Sequence, residues 1–96
     1  MTIDFTKNGG HLKVLLNGRL DTVTAPEFEG FYEANAEGIN ELTVDCKNLE
    51  YVSSAGLRVF LSLQKKLKNS MKLINVCELV MEVFEMTGFA DILNIE

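Results

Sequence analysis

The chain has 96 residues, 47% of them hydrophobic, a single proline and a net charge of −5 at pH 7. That is the size and composition of one domain, 1–96, with one core and no linker or disordered tail. The acidic balance argues against a nucleic-acid partner or an anionic membrane, which want a basic footprint. No apolar run approaches the roughly 18–20 residues that cross a bilayer, so no direct membrane insertion is expected.

The opening MTIDFTKNGG lacks the basic-then-apolar order of a signal peptide. In it Ile3 and Phe5 alternate with Thr2, Asp4 and Thr6, a strand pattern, and Asn8-Gly9-Gly10 supplies the positive φ of a tight turn. Leu12, Val14 and Leu16 then share one face of a second strand, which makes a β-hairpin, ended by Gly18. Thr24 and Glu27 have capping-box spacing and Pro26 falls in a first turn, so a helix follows, with Phe28, Phe31 and Tyr32 recurring at helical spacing and Gly38 as its stop. Gly30 inside it costs about 1 kcal/mol relative to alanine and is read as marking a close packing contact.

A third strand is expected over Glu41–Cys46, and Lys47–Val52 is read as a loop. A second helix starts at Ser53 or Ser54. Its core stripe is Gly56, Val59, Phe60, Leu63 and Leu67, its wet face Arg58, Ser62, Lys65 and Asn69, and its last turn is lysine-rich, as the helix dipole favours. Met71–Val76 is a fourth strand. Glu78–Thr87 is a third helix capped by Gly88, and Ile92–Ile95 is a short last strand or turn. The order ββαβαβα(β) predicts an α/β fold with a mixed sheet of four to five strands. Clean alternation in the second and third strands places the helices mainly on one face.

Cys46 and Cys77 lie in separate apolar runs and read as buried free thiols, suited to a reducing cytoplasm. With one histidine they are too few for a zinc site, and no metal or other cofactor is expected. In open α/β sheets, sites form beyond the carboxyl ends of the parallel strands. The segments Gly18–Thr24, Lys47–Ser54 and Asn75–Glu78 converge there. A Ser54/His11/Asp21 triad fails, because His11 lies at the other end of its strand, roughly 27 Å from Asp21 along an extended chain. No nucleophile elbow and no phosphate-binding glycine motif is present. Two readings of Ser53-Ser54 stay open on the residues alone: helix capping, worth about 1 kcal/mol and needing one serine, or a functional hydroxyl.

Three stretches together carry a resemblance. Gly18-Arg19-Leu20-Asp21, Leu49–Leu57 with Val-Ser-Ser-Ala-Gly-Leu-Arg, and Thr87-Gly88-Phe89 stand in the order and spacing of the STAS domain of bacterial anti-sigma factor antagonists. The resemblance covers nearly the whole chain. Aligned on Gly56-Leu57, it implies that Ser54 is the phospho-acceptor. Ser53 occupies the place of the family's usual aspartate and Ala55 that of its second hydroxyl. Asp21 is then the loop acid beside the acceptor, and the partner-binding set is Asp21, Thr22, Ser53, Ser54, Ala55, Gly56 and Arg58.

The resemblance implies a cytoplasmic binder rather than an enzyme. Unphosphorylated, it holds an anti-sigma factor that is also a serine kinase, which releases the sigma factor. Phosphorylation ends the binding and a phosphatase resets it. Arg58, one turn from Ser54, pairs with the phosphate, with an acid of the partner, or only with solvent. The competing expectation is a STAS scaffold or transporter-associated adaptor that is never phosphorylated, and serine in place of the acid at 53 favours it.

Overall fold

A computed structural model describes residues 1–96. The hairpin forms as the alternation demands: β1 (Thr2–Asn8) pairs antiparallel with β2 (His11–Leu20), with Asn8 opposite His11 across the two glycines. Gly9 has φ +62°, the left-handed geometry a tight hairpin turn needs. Then come α1 (Ala25–Asn35), β3 (Glu41–Asp45), β4 (Leu49–Val52), α2 (Ser54–Leu67), β5 (Met71–Ile74) and α3 (Glu78–Thr87), with 3₁₀ turns at 68–70 and 89–91.

The sheet is mixed. It runs β1-β2-β3-β5, with β4 attached to β2. β3 lies parallel to the first half of β2, His11 opposite Glu41 through Leu15 opposite Asp45. Beyond Leu15 that edge of β2 would be bare. β4 fills it, with Gly18 opposite Leu49 and Leu20 opposite Val52. Two expectations are corrected here. Lys47–Val52 is not all loop, because its last four residues form a strand. Gly18 does not end β2. At φ +112° it absorbs a register shift that lets the strand run on to Leu20.

Leu12, Val14, Leu16, Leu42, Val44, Met71 and Leu73 all point to one face and are buried. The helices cover that face in the order α1, α2, α3. Three phenylalanines connect them edge to face: Phe28 to Phe60 at 5.9 Å and Phe60 to Phe84 at 6.0 Å, each pair adding about 0.5–1.5 kcal/mol beyond its burial. The opposite face carries no helix, yet Thr43 and Asp45 are buried there. Thr43 hydrogen-bonds His11 at 2.8 Å, and Asp45 accepts from the Lys47 N–H and the Asn75 amide at 3.1 Å. Their bonds answer the cost of burying polar groups.

Other local readings change. Gly30 meets open space, not a close contact. Of the two helical glycines it is Gly56 that is tight, since a Cβ built there would lie 2.9 Å from both Cγ and O of Leu20. α1 ends at Asn35, with Ala36 as its C-cap and Gly38 two residues further on. β3 stops at Asp45 and β5 at Ile74, each short of its expected end. Gly88 caps α3 at φ +82° as expected. The final segment is a 3₁₀ turn and then a single parallel bridge, Ile95 to Leu73. Cys46 and Cys77 are free thiols, the first buried and the second half-buried. No helix is long and apolar enough to cross a membrane.

Candidate functional site

All four parallel strands point their carboxyl ends at one edge, and β4 decides what meets there. It carries Ser53 to the end of β2, where the Ser53 N–H donates to the Leu20 carbonyl at 2.9 Å. The absence of a Cβ on Gly56 lets α2 start directly against Leu20. The loop after β2 and the start of α2 are thereby joined. The loop after β5 joins one strand length lower: Asn75 bonds Asp45, and the Cys77 thiol reaches the Leu49 carbonyl at 3.5 Å. The expected three-way convergence is therefore a two-way meeting at the serines.

Asp21 organises its loop. One carboxylate oxygen accepts from the Val23 N–H at 3.0 Å and the Thr24 N–H at 3.1 Å. These bonds, the Thr24 N–H foremost, outweigh desolvation and with Arg19 nearby hold the carboxyl below its usual range. The Thr24 hydroxyl donates to the Arg19 carbonyl at 2.6 Å and accepts from the Asp21 N–H at 2.8 Å. This replaces the expected capping box. Thr24 is itself helical, at φ −89° and ψ −20°, and makes no side-chain cap bond to α1. Thr22 and Val23 stand exposed at the tip, Val23 at 74%.

Ser53 is the N-cap of α2 in extended geometry, but its side chain caps nothing. Its oxygen is buried without a partner. Capping, left open between the two serines by the sequence, is not done by this hydroxyl, and only the Ser53 backbone serves. Ser54, the first helical residue, is exposed. The first turn of α2 holds no acid of its own, and the positive end of the helix dipole lies at Ser54.

Ala55 is half-buried, Gly56 buried and Arg58 exposed. Arg58 and Ala55 line a groove of about 380 Å³ between α1 and α2, with Thr22, Pro26, Glu29 and Ser62 on its other walls. The structure thus groups all seven expected residues, Asp21, Thr22, Ser53, Ser54, Ala55, Gly56 and Arg58, around one helix start. It adds Val23 and the α1 residues Pro26 and Glu29, which sequence reasoning left out. Pro26 and Glu29 share a helix face by their spacing of three, a signal that was readable but pointed to no chemistry. His11 is bonded to Thr43 at the far end of β2, so the chain's one histidine is not part of the group around Ser54.

Comparison with known proteins agrees with this architecture. The family model described as "Mlab, STAS domain" matches residues 3–94. BtrV of Bordetella bronchiseptica is 35% identical over 96 residues, covering 96% of this chain and 83% of that protein. The anti-sigma-B factor antagonist of Bacillus subtilis is 31% identical over 98 residues, covering 99% and 90%. Among solved structures, the anti-sigma factor antagonist SpoIIAA superposes in its unphosphorylated form with a TM-score of 0.82 at 15% identity, covering 99% of this chain and 88% of that one. Bacillus SpoIIAA in the phosphorylated form gives 0.73 at 14%, covering 99% and 91%. These structures share the fold. The family match along almost the whole length, with relatives above 30% identity, places the chain in the STAS domain family.

Proposed function

We propose that this chain is an anti-sigma factor antagonist, a binding protein and not an enzyme, whose partner docks over the start of α2 and whose switch is phosphorylation of Ser54. The observation that carries the reading is the exposed Ser54 at the N-terminus of α2, tied through Ser53 and Leu20 to the Asp21 loop. A phosphate there adds about −1.5 to −2 charges. The helix end tolerates them, so the fold survives modification. The surface does not stay the same. Beside Asp21 it becomes strongly anionic, and an interface that received a neutral hydroxyl meets repulsion worth several kcal/mol, a hundredfold or more in affinity.

The partner is an anti-sigma factor that acts as the serine kinase, in a cytoplasmic setting, with a phosphatase restoring the binding form. Asp21, Thr22, Ala55, Gly56 and Arg58 form the rest of the contact surface, and the α1–α2 groove receives part of the partner. A second reading, a STAS scaffold or adaptor that is never phosphorylated, draws support from Ser53 standing where the family's usual acid would be.

Calorimetric titration of the cognate kinase with Ser54→Ala and Ser54→Asp separates the two. The switch predicts that Ser54→Ala binds like the parent and Ser54→Asp binds at least tenfold more weakly. Equal affinity, together with no phosphate on Ser54 after incubation with kinase and ATP, selects the scaffold.

A further inference from the structure

The two edges of the sheet are treated differently. The outer edge of β5 is covered by the chain's own tail: the Leu73 N–H donates to the Asn94 carbonyl and the Glu96 N–H to the Leu73 carbonyl, both at 2.9 Å, and Lys72 lies 3.9 Å from Glu96. The outer edge of β1 ends the sheet. β1 is seven residues long, pairs with β2 without a bulge and contains no proline. Its only charges are Asp4 and Lys7. Half-exposed Phe5 (49%) sits at its centre, stacked edge to face on Phe31 of α1 at 5.0 Å. An uncovered, unbulged edge with two threonines and a central phenylalanine is a template for another strand.

We propose that β1 pairs antiparallel with β1 of a second copy, about a two-fold axis at Phe5, to give a continuous ten-stranded sheet. The charges exclude two registers, and full overlap of the two strands selects this one. An axis at Asp4 would set Asp4 against its own copy, and an axis at Lys7 would do the same for lysine; like charges directly opposite are destabilising. An axis at Phe5 overlaps all seven residues, sets Thr2 against Asn8, Ile3 against the Lys7 stem and Asp4 against Thr6, and brings Phe5 onto Phe5 between the two Phe31 rings. An axis perpendicular to the sheet keeps the helices of both copies on one face. Seven paired residues a side fall short of the roughly 20–30 a side of a stable interface, so the dimer is weak and concentration-dependent.

The pairing has a consequence for the candidate site. Met1 lies beside Gly18, so the Thr2 end of β1 is at the Ser54 edge of the sheet. Antiparallel pairing sends the two Ser54 sites to opposite edges, both open, and makes the dimer bivalent. The proposal does not rest on phosphorylation of Ser54, and a failed dimer leaves that reading standing.

Sedimentation velocity from about 10 µM to about 1 mM should show the mass rising from 10.7 kDa toward twice that value. Phe5→Lys should remain at the monomer mass while keeping the parent's circular dichroism. In a Cys77→Ser background, Phe5→Cys should form a covalent dimer on mild oxidation, since directly opposed Cα atoms are about 4.5–5.5 Å apart, within disulfide reach. Thr2→Cys, opposed to Asn8, should not. A parent protein that stays monomeric to the highest concentration overturns the proposal. So does a dimer indifferent to Phe5→Lys, or cross-linking through Thr2→Cys as readily as through Phe5→Cys.

Discussion

Alanine at position 56 and alanine at position 30 are the same chemical change in two helices, and the structure predicts opposite signs. At Gly56 the new Cβ would stand 2.9 Å from Cγ and from O of Leu20, where ordinary contact begins at 3.4 Å. One of those atoms is backbone, already accepting from the Ser53 N–H. The other belongs to a fully buried side chain. Neither can swing away, so α2 must lift off β2 at its first turn. Overpacking of this kind costs about 1–3 kcal/mol, against a helix-propensity gain of at most about 1 kcal/mol. The net expectation is a loss of about 1–2 kcal/mol. At Gly30 nothing lies within 4 Å and φ is not left-handed, so only the propensity gain remains, about 0.5–1 kcal/mol of added stability. Urea unfolding followed by far-ultraviolet circular dichroism measures both. Each kcal/mol moves the thermal midpoint about 4–8 °C in a domain of this size. A Gly56→Ala protein as stable as the parent would refute the claim that the absent Cβ seats α2 on Leu20. A destabilised Gly30→Ala would refute the propensity argument.

The other predictions concern the same neighbourhood. Ser53→Ala should change stability by less than about 0.5 kcal/mol or raise it, because the hydroxyl it removes is buried without a partner; a loss near 1 kcal/mol in urea titration would restore the capping role. Asp21 has a folded-state pKa below its unfolded value of 3.8, so the unfolded chain binds more protons as pH falls. Its stabilising contribution is complete above that value and is lost as pH drops through the lower folded pKa. Asp21→Asn should therefore be less stable than the parent at pH 7, with the gap closing below about pH 4; a gap independent of pH would be inconsistent. Burial, with Asp45 close by, pushes the Cys46 thiol up to about 12. A thiol reagent on the native protein at pH 8 should modify Cys77 alone, with Cys46 reacting only in denaturant; rapid labelling of both would show Cys46 to be accessible.

The sign of the alanine prediction at 56 came from the structure, and the reason is general to this chain. Periodicity placed Gly56 in the core stripe of α2, and it is buried there. The cost of a glycine inside a helix made Gly30 look like a packed one, but neither that cost nor periodicity says what stands opposite a residue. β4 escaped for a related reason. Four residues carry too little alternation to be seen, and what makes them a strand is the bare upper half of β2, 30 residues earlier in the chain. The capping roles of Thr24 and Ser53 failed because spacing names a donor and an acceptor, but each hydroxyl answers to whatever the tertiary structure brings closest. For Thr24 that is the Arg19 carbonyl, and for Ser53 it is nothing.

What the amino-acid sequence determined by itself was local and periodic: the hairpin, three helices, Gly88 as the cap of α3, a sheet with one apolar face, and motifs specific enough to indicate the family and point to Ser54. These follow from interactions within a few residues or from the two repeats, 2.0 and 3.6, that burial imposes on strands and helices. What only the tertiary structure decided was which segments touch: β4 on the upper half of β2, Gly56 on Leu20, Asp21 beside the start of α2. Those contacts join residues some 30 positions apart, where no periodicity reaches. They turn a serine in a motif into an exposed hydroxyl on a particular surface.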